Sequence, residues 1–150
     1  MIVVIEGADG TGKSTLANSL ARHFNAKVIH RTHITDQPKS ELYSIYENLI
    51  MEHKDHNVIL DRAWYSEMAY GPVFRDKSHI SIEQMHDLEK LLHLVGGFII
   101  YCHNNDSYKL SQTRGEDYVE NEEQHIKVCE AYEQLFHGYE HKVEVLEYVI

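Results

Sequence analysis

A short stretch near the amino terminus has the residue types that bind a triphosphate. Residues 7–15 read Gly-Ala-Asp-Gly-Thr-Gly-Lys-Ser-Thr and complete the phosphate-loop pattern G-x-x-x-x-G-K-[ST] without a mismatch. Glycines let successive backbone N–H groups curl around phosphate oxygens, and a following helix adds the positive end of its dipole. Lys13 is expected to reach the β- and γ-phosphates, and the Ser14 hydroxyl to ligate Mg²⁺. The predicted ligand is ATP with Mg²⁺, and the loop residues predicted to bind it are Gly7, Asp9, Gly10, Thr11, Gly12, Lys13, Ser14 and Thr15.

A second set of chemical side chains follows the apolar run 58–60. Asp61 comes directly after that run, where an acid in phosphate-loop proteins commonly holds Mg²⁺ opposite the loop serine. Arg62 is next, and its guanidinium can bind an acceptor phosphate, or the group in transfer, through two hydrogen bonds. A plain surface ion pair between Asp61 and Arg62 is the alternative. The strand-end position beside a phosphate loop favours Asp61 as a second metal ligand and Arg62 as a catalytic residue.

Aromatic residues and a further arginine extend the candidate site. Rings that could offer a flat apolar surface to a base follow Arg62, although each could instead be a core residue: Trp64, Tyr65, Tyr70 and Phe74. Arg114 lies in a polar, Gly-containing segment, where a closing lid would supply positive charge to a transition state. An ordinary solvated side chain is the alternative for Arg114. We predict a lid at about residues 105–119 that carries Arg114 as a catalytic residue.

Alternating strand and helix patterns predict the scaffold that positions these residues. Strand patterns are found at 2–5, 26–30, 58–61 and 98–102, and a half-exposed edge-strand pattern at 142–147. Helix signals are found behind the phosphate loop, from near 38 to 50, from 62 to 71, from 80 to 95 and from about 121 to 138. The third of these helices is expected to close at Gly71-Pro72. The pattern predicts a three-layer α/β/α fold with a parallel sheet and the site at the carboxyl ends of its strands.

The bulk properties allow one domain, 1–150, and argue against several classes. The 150 residues are 43% hydrophobic and 25% charged, as in ordinary globular proteins. No apolar stretch reaches about 18 residues and no charged segment precedes a hydrophobic one, so we expect a cytoplasmic protein without a membrane partner. Cys102 and Cys129 lack C-x-x-C spacing and are predicted to be buried free thiols. The net charge of −10 argues against extended binding to a nucleic-acid duplex.

Histidines are unusually frequent, with twelve in the chain. Two pairs, His30 with His33 and His53 with His56, have H-x-x-H spacing, but neither pair has a nearby third ligand of suitable type. We therefore predict that they are solvated or loop residues, whose charge responds to pH near neutrality.

Three segments taken together resemble the thymidylate kinase and deoxynucleoside kinase group. They are the phosphate loop with Glu6 in front of it, the pattern Asp-Arg-x-x-x-Ser-x-x-x-Tyr at 61–70, and Arg114 with Glu116 ahead of a helix that holds Tyr132. The order of elements matches that group across essentially the whole chain. The resemblance implies a five-stranded parallel sheet, ATP·Mg²⁺ as the donor and a thymidine-like acceptor.

The same resemblance implies roles for individual residues. Asp9 would approach the acceptor sugar and Arg62 its phosphate. Ser66 and Tyr70 would line the base pocket, and Arg114 would be the lid arginine. These assignments add an acceptor side to the donor site that the phosphate loop predicts.

Departures from the group's pattern bear on the acceptor. Relatives usually carry an acid in a REPG-like segment after the second strand, whereas here Arg31 is followed by Thr-His-Ile and only Asp36 is available. The lid has a single arginine and the chain is short, which fits a compact phage-type enzyme. A nucleoside hydroxyl needs a carboxylate base, whereas a monophosphate is already a nucleophile. A deoxynucleoside monophosphate is therefore the preferred acceptor.

Three alternatives stay open. A deoxynucleoside kinase could use Asp61 or Asp36 as its base, and an ATP-binding sensor would transfer nothing. A kinase of 5-hydroxymethyluracil bases in phage DNA would need a local basic patch, for which the candidates are Arg31, Lys39, Arg62, Arg75 and Lys77. The expected partners are ATP and a deoxynucleotide-type acceptor, with DNA only in the last alternative and a homodimer left open.

Overall fold

A parallel sheet of five strands forms the centre of the molecule. The computed structural model describes residues 1–30, 39–104, 107–108, 110 and 121–149. The strands are β1 (Ile2–Glu6), β2 (Lys27–His30), β3 (Val58–Asp61), β4 (Phe98–His103) and β5 (Val145–Val149). They pair in parallel in the order β2-β3-β1-β4-β5. The predicted α/β class with a five-stranded parallel sheet is confirmed.

Helices cover the two faces of this sheet unequally. Those described are α1 (Lys13–Phe24), α2 (Leu42–Glu52), α3 (Trp64–Phe74), α4 (Ile82–Leu94) and α5 (Glu122–His137), with a 3-10 turn at Lys39–Glu41. Because successive strand residues point to opposite faces, Ile2 and Val4 pack with residues of α2, α3, α4 and α5. Val3 and Ile5 pack on the other face with α1. The sheet is therefore the middle layer of the predicted three layers.

Helix α3 is longer than its sequence signals predict. The prediction that it closes at Gly71-Pro72 is wrong, because the helix runs to Phe74 with Pro72 inside it. A side chain on Gly71 would collide with the backbone carbonyl of Lys77, which passes close to the helix there. Gly71 thus allows a close approach of two backbone segments rather than ending the helix.

Strand β5 lies at the sheet edge as predicted, but with different bounds. It begins at Val145 rather than near Lys142, and its last four residues are exposed. The first register pair joins Val145 to Ile99, while Val143 is buried in the core before the strand begins. The apolar alternation therefore starts in the loop, where burial of a valine does not require strand pairing.

Local signals elsewhere in the chain hold in three dimensions. Helix α4 begins with the predicted capping box, in which Ser81 Oγ accepts from Gln84 N at 3.1 Å and Gln84 Oε1 accepts from Ser81 N at 3.0 Å. Cys102 is a buried free thiol and Cys129 a partly buried one, so both are unpaired as predicted. Burial raises the pKa of Cys102 to about 12. None of the helices in the described ranges is long and apolar enough to cross a bilayer.

Candidate functional site

The phosphate loop joins the end of β1 to the start of α1, as its pattern predicts. Gly7 has φ +149°, and a side chain there would collide with the Cys102 carbonyl oxygen of neighbouring β4. Gly12 is the N-cap of α1 with φ 84°, in the left-handed region. Glycine is therefore required at both ends of the loop, at one for space and at the other for backbone conformation. The amino end of α1 faces the loop, where it favours an anion.

Side chains of the loop fold back onto its own backbone. Thr11 Oγ1 and Lys13 Nζ each donate to the Ala8 carbonyl oxygen at 2.7 Å. Lys13 is only 6% exposed, so its ammonium group lies inside the loop rather than in solvent. Directly after β4, Asn104 Nδ2 donates to the Gly10 carbonyl oxygen at 3.0 Å and holds the outer side of the loop.

The two predicted metal ligands lie together beside the loop. Ser14 Oγ donates to Asp61 Oδ2 at 3.2 Å. His30 Nδ1 lies 3.0 Å from the same carboxylate oxygen, because the last residues of β2 and β3 pair in register. A hydroxyl and a carboxylate are the oxygen ligands that Mg²⁺ prefers, so this pair of side chains fits the ion chemically. Sequence reasoning missed His30 as a site neighbour, since its contact depends on which strand lies next to β3.

Arg62 occupies the junction between β3 and α3. Its φ is 70°, a left-handed conformation that costs a non-glycine residue roughly 1–2 kcal/mol. Its backbone N–H donates to the Ile5 carbonyl oxygen at 2.9 Å, and its guanidinium forms an ion pair with Asp9. The guanidinium also lies 4.9 Å from the centre of the Tyr70 ring. Burial alone would lower the pKa of Arg62, but Tyr70 and the carboxylates of Asp9 and Glu6 raise it above its ordinary value.

A fully buried carboxylate, Glu6, underlies this arginine. Glu6 Oε2 accepts from the backbone N–H groups of Ala63 at 2.8 Å and Ser66 at 3.1 Å. Glu6 Oε1 accepts from the hydroxyls of Ser66 at 2.6 Å and Tyr132 at 3.1 Å. Burial raises the pKa of Glu6, against the lowering effect of the hydrogen bonds from Ser66 and Ala63. The signal in the sequence was a charged residue that ends an apolar strand directly before the phosphate loop.

The residues predicted to line a base pocket are more enclosed than their roles require. Ser66 has no exposed surface, and its hydroxyl contacts Glu6 and, at 2.9 Å, the Tyr132 hydroxyl. Tyr70 is 2% exposed, and its ring stacks on Phe74 with 6.0 Å between centroids. Their acceptor-binding roles stay predictions.

Two of the aromatic residues cannot offer a surface to a base. Trp64 and Tyr65 are both 0% exposed, so for these two rings the core alternative is the one that holds. The Trp64 ring packs 5.8 Å from Tyr46 of α2, and the Tyr65 ring 4.8 Å from Phe136 of α5. Helix α3 is enclosed by its neighbours, which turns these rings into core.

Several predicted residues fall outside the described ranges. Arg114, most of the lid segment 105–119, Arg31 and Asp36 are among them. Within the predicted basic patch, Arg75 forms an ion pair with the buried carboxylate of Glu67. The charge of Arg75 is thus already balanced by a structural partner.

A small cavity opens between the loop, the end of β4 and α5. Its volume is about 140 Å³, and its lining includes Ala8, Thr11, Asn104, Ser107, Cys129 and Tyr132. Ser107 Oγ lies 2.6 Å from His125 Nε2, which holds the start of the predicted lid segment against α5. The cavity therefore adjoins the phosphate loop on the face of the sheet that carries α5.

Comparisons with known proteins agree with this geometry. The family described as RNA helicase matches residues 3–69, less than half of the 150 residues, in the part that holds the phosphate loop. The SPbeta prophage-derived uncharacterized protein YorR of Bacillus subtilis is 27% identical over 79% of this chain and 72% of its own length. Probable thymidylate kinase 1 of Saccharolobus solfataricus is 27% identical over 99% of this chain and 94% of its own length.

Solved structures match the fold over nearly the whole chain. The structure of B. subtilis YorR in complex with phosphorylated GDP has a TM-score of 0.74 at 22% identity, over 99% of this chain and 85% of that one. The structure of deoxyadenosine kinase from M. mycoides, with the products dCMP and dCDP, has a TM-score of 0.63 at 16% identity. The match covers 100% of this chain and 90% of that one. Together with the complete phosphate loop, these matches show that the chain has the fold of the P-loop nucleotide kinases among its structural neighbours.

Proposed function

We propose that this chain transfers the γ-phosphate of ATP to a thymidine-like deoxynucleoside monophosphate in the cytoplasm. The observation that carries the proposal is the ion pair between Arg62 and Asp9 at the phosphate loop. The Arg62 side chain keeps 15% of its surface exposed, so an anion at the mouth of the loop can reach it. A charged acceptor phosphate can displace the Asp9 carboxylate from the Arg62 guanidinium, whereas an uncharged nucleoside hydroxyl cannot.

The donor side of the reaction follows from the loop and the end of β3. Backbone N–H groups of the loop and Lys13 would bind the β- and γ-phosphates, and Ser14 with Asp61 would hold Mg²⁺. A magnesium ion held there would neutralise negative charge on the phosphates during the transfer. Lys13 would leave the Ala8 carbonyl oxygen for a phosphate oxygen, a stronger, charged acceptor.

The acceptor side is built from Asp9, Arg62, Ser66 and Tyr70. Asp9, released from Arg62, would accept from a sugar hydroxyl, while Arg62 orients the acceptor phosphate for in-line attack. Ser66 and Tyr70 would lie under the base, and Arg114 would close over the transferring group. The relative named a probable thymidylate kinase supports an acceptor of this type.

A deoxynucleoside kinase is the second candidate. The neighbour that is a deoxyadenosine kinase favours it, and the contact of His30 with Asp61 gives that carboxylate a partner during proton transfer. A kinase of 5-hydroxymethyluracil in DNA is the third, and a sensor that binds ATP without transfer is the alternative outside enzymes.

A transfer assay separates these candidates. ATP·Mg²⁺ is offered to the full chain with deoxynucleosides, deoxynucleoside monophosphates including dTMP, or DNA that contains 5-hydroxymethyluracil. We expect transfer to the monophosphates. Transfer to either other class alone would replace the proposed acceptor, and ATP binding without any transfer would support the sensor.

Two variants test the assigned roles. Lys13→Ala is expected to reduce turnover on the order of 10²-fold or more, because it removes charge that stabilises the transition state.

Arg62→Ala is expected to raise the acceptor KM or lower kcat while ATP affinity stays nearly unchanged. Lys27→Ala and Arg22→Ala are matched controls, since both side chains belong to exposed residues away from the loop. Selective loss of ATP binding in Arg62→Ala would move that residue to the donor side.

A further inference from the structure

Glu6 links three parts of the site that are far apart in the chain. It ends β1, one residue before the phosphate loop, and its carboxylate reaches α3 and α5. Ala63 is the N-cap of α3 but forms no side-chain cap there. The N–H groups of Ala63 and Ser66 instead donate to Glu6 Oε2, so a residue of another strand caps this helix.

Capping by Glu6 constrains the residue in front of the helix. Arg62 is held between the Ile5 carbonyl oxygen and the capped turn, in a left-handed conformation that the residue does not favour by itself. The buried negative charge of Glu6 also attracts the Arg62 guanidinium. The cap on α3 and the charge of Glu6 thus both hold Arg62, which pairs with Asp9.

Tyr132 extends this link to the helix that follows the lid segment. Its hydroxyl donates to Glu6 Oε1 at 3.1 Å and lies 2.9 Å from Ser66 Oγ. Tyr132 belongs to α5, which begins directly after the segment predicted to close over the phosphates. Glu6 therefore joins β1, which precedes the phosphate loop, to α3, which follows Arg62, and to α5, which follows the predicted lid segment.

We infer that Glu6 is a positioning residue that sets Arg62 for the acceptor phosphate, and that Tyr132 transmits the position of α5 to it. This inference rests on the proposed function, because it assigns Glu6 to the acceptor half of the same site. Glu6 contacts neither nucleotide and acts through Arg62. Its loss changes how the acceptor is held, while the donor site of Lys13 and Ser14 stays intact.

A purely structural role for Glu6 makes a different prediction. In that case any equally buried carboxylate would affect activity equally when altered. The chain contains such a residue in Glu89, which is 0% exposed and accepts from the Tyr65 hydroxyl at 2.5 Å. Glu89→Gln and Tyr65→Phe are therefore matched controls for Glu6→Gln and Tyr132→Phe.

The experiment measures steady-state transfer from ATP·Mg²⁺ to dTMP in the four variants. In Glu6→Gln the amide keeps the shape of the side chain, with its oxygen toward the two N–H groups and its nitrogen toward the hydroxyls. We expect kcat/KM for dTMP to fall about tenfold or more, since small displacements of an orienting group have effects of this size, and the KM for ATP to stay within about twofold. Tyr132→Phe is expected to change the same parameter by a smaller factor, and both control variants to match the wild type.

A binding measurement without turnover completes the test. Trp64 is the single tryptophan and follows the capped residue Ala63, so its emission reports on the start of α3. We expect titration with dTMP to change this emission, with weaker binding in Glu6→Gln and wild-type binding in Glu89→Gln. If Glu6→Gln and Glu89→Gln change kcat/KM for dTMP and dTMP binding equally per folded molecule, the positioning role alone is overturned. A wild type that neither binds nor phosphorylates dTMP would overturn the proposed function, and the positioning role with it.

Discussion

Two buried carboxylates in this protein have similar surroundings and opposite behaviour. Glu6 lies beside the phosphate loop and Glu89 lies in α4, and both are 0% exposed. Each accepts a hydrogen bond from a buried tyrosine, Tyr132 for Glu6 and Tyr65 for Glu89. Yet the pKa of Glu6 is raised and that of Glu89 is lowered.

The difference comes from the hydrogen-bond partners of each carboxylate. Burial acts to raise both pKa values, but Glu89 accepts from His141 Nδ1 at 2.6 Å, from Tyr65 and from the Lys142 backbone N–H at 2.9 Å. These three hydrogen bonds, together with the charge of His141, outweigh burial. Glu6 has only neutral donors in contact, and its nearest cation, Arg62, pairs with Asp9. The partners of Glu89 thus favour its charged form, whereas burial disfavours the charged form of Glu6.

Removal of Glu6 has the largest expected effect on stability. Glu6→Ala removes the carboxylate that accepts from two backbone N–H groups and two hydroxyls, and with it a buried counter-charge of Arg62. We expect the free energy of unfolding to fall by about 3–5 kcal/mol, the range for breaking a buried charged cluster. Urea denaturation measures it. A loss below about 1 kcal/mol would mean that water or another side chain replaces the carboxylate.

Removal of Glu89 is expected to cost less and to spare the site. Glu89→Ala should reduce the free energy of unfolding by about 2–3 kcal/mol, because His141 can lose its proton and leave no buried charge behind. Turnover per folded molecule should equal that of the wild type. The comparison between the two carboxylates fails if this variant loses activity as strongly as the Glu6 variant.

A local cap should be weaker than the cap that Glu6 supplies from another strand. Ser81→Ala removes one hydrogen bond at the exposed start of α4, and we expect a loss of about 1 kcal/mol. Ser19→Ala in the exposed middle of α1 is the control, with little expected change. Thermal and urea unfolding measure both variants. A Ser81→Ala loss as large as that of Glu6→Ala would contradict the ranking of the two caps.

The dependence of stability on pH should show the smallest effect. The pKa of His141 is raised above 6.5, so its contribution to stability is complete below pH 6.5 and is lost as pH rises through the folded pKa. The pKa of Glu89 is lowered below 4.5, so its contribution is present above pH 4.5 and is lost as pH falls through the folded pKa. The pair therefore stabilises most between these two values. His141→Asn should flatten the decline in stability from pH 6 to 8.

A control is needed because another histidine acts in the same direction. The pKa of His137 is raised by its hydrogen bonds with Glu133 and Glu147, so it too stabilises less as pH rises. His137 is more exposed than His141, and His137→Asn is expected to leave most of the decline in place. If only His137→Asn flattens the curve, the contact between Glu89 and His141 does not control this range.

Much of the fold could be predicted from local patterns. Strand β3 has the predicted bounds, and the phosphate loop lies between strand and helix as its motif requires. The capping box at Ser81 needed only its own four residues. Helix α3 was less predictable, because the packing of the Lys77 backbone against Gly71 depends on a turn beyond the helix.

The candidate site divides in the same way. Ser14 and Asp61 were expected to meet, since both follow strands of one parallel sheet, and their side chains are in hydrogen-bond contact. The roles of Glu6 and His30 could not be read from local patterns. Glu6 reaches Ala63 across 57 positions of the chain, and His30 reaches Asp61 only because β2 lies beside β3.

The sequence by itself determined the residues whose function depends on near neighbours. The glycines, Lys13 and Ser14 of the loop are of this kind, as is Asp61 with Arg62 at a strand end. Only the tertiary structure decided that Arg62 meets Asp9, that Glu6 caps α3 and that Trp64 and Tyr65 are core. The physical reason is that a loop or a cap is a property of a few successive residues. Which carboxylate meets which cation depends on the order of strands and on the helices packed above them.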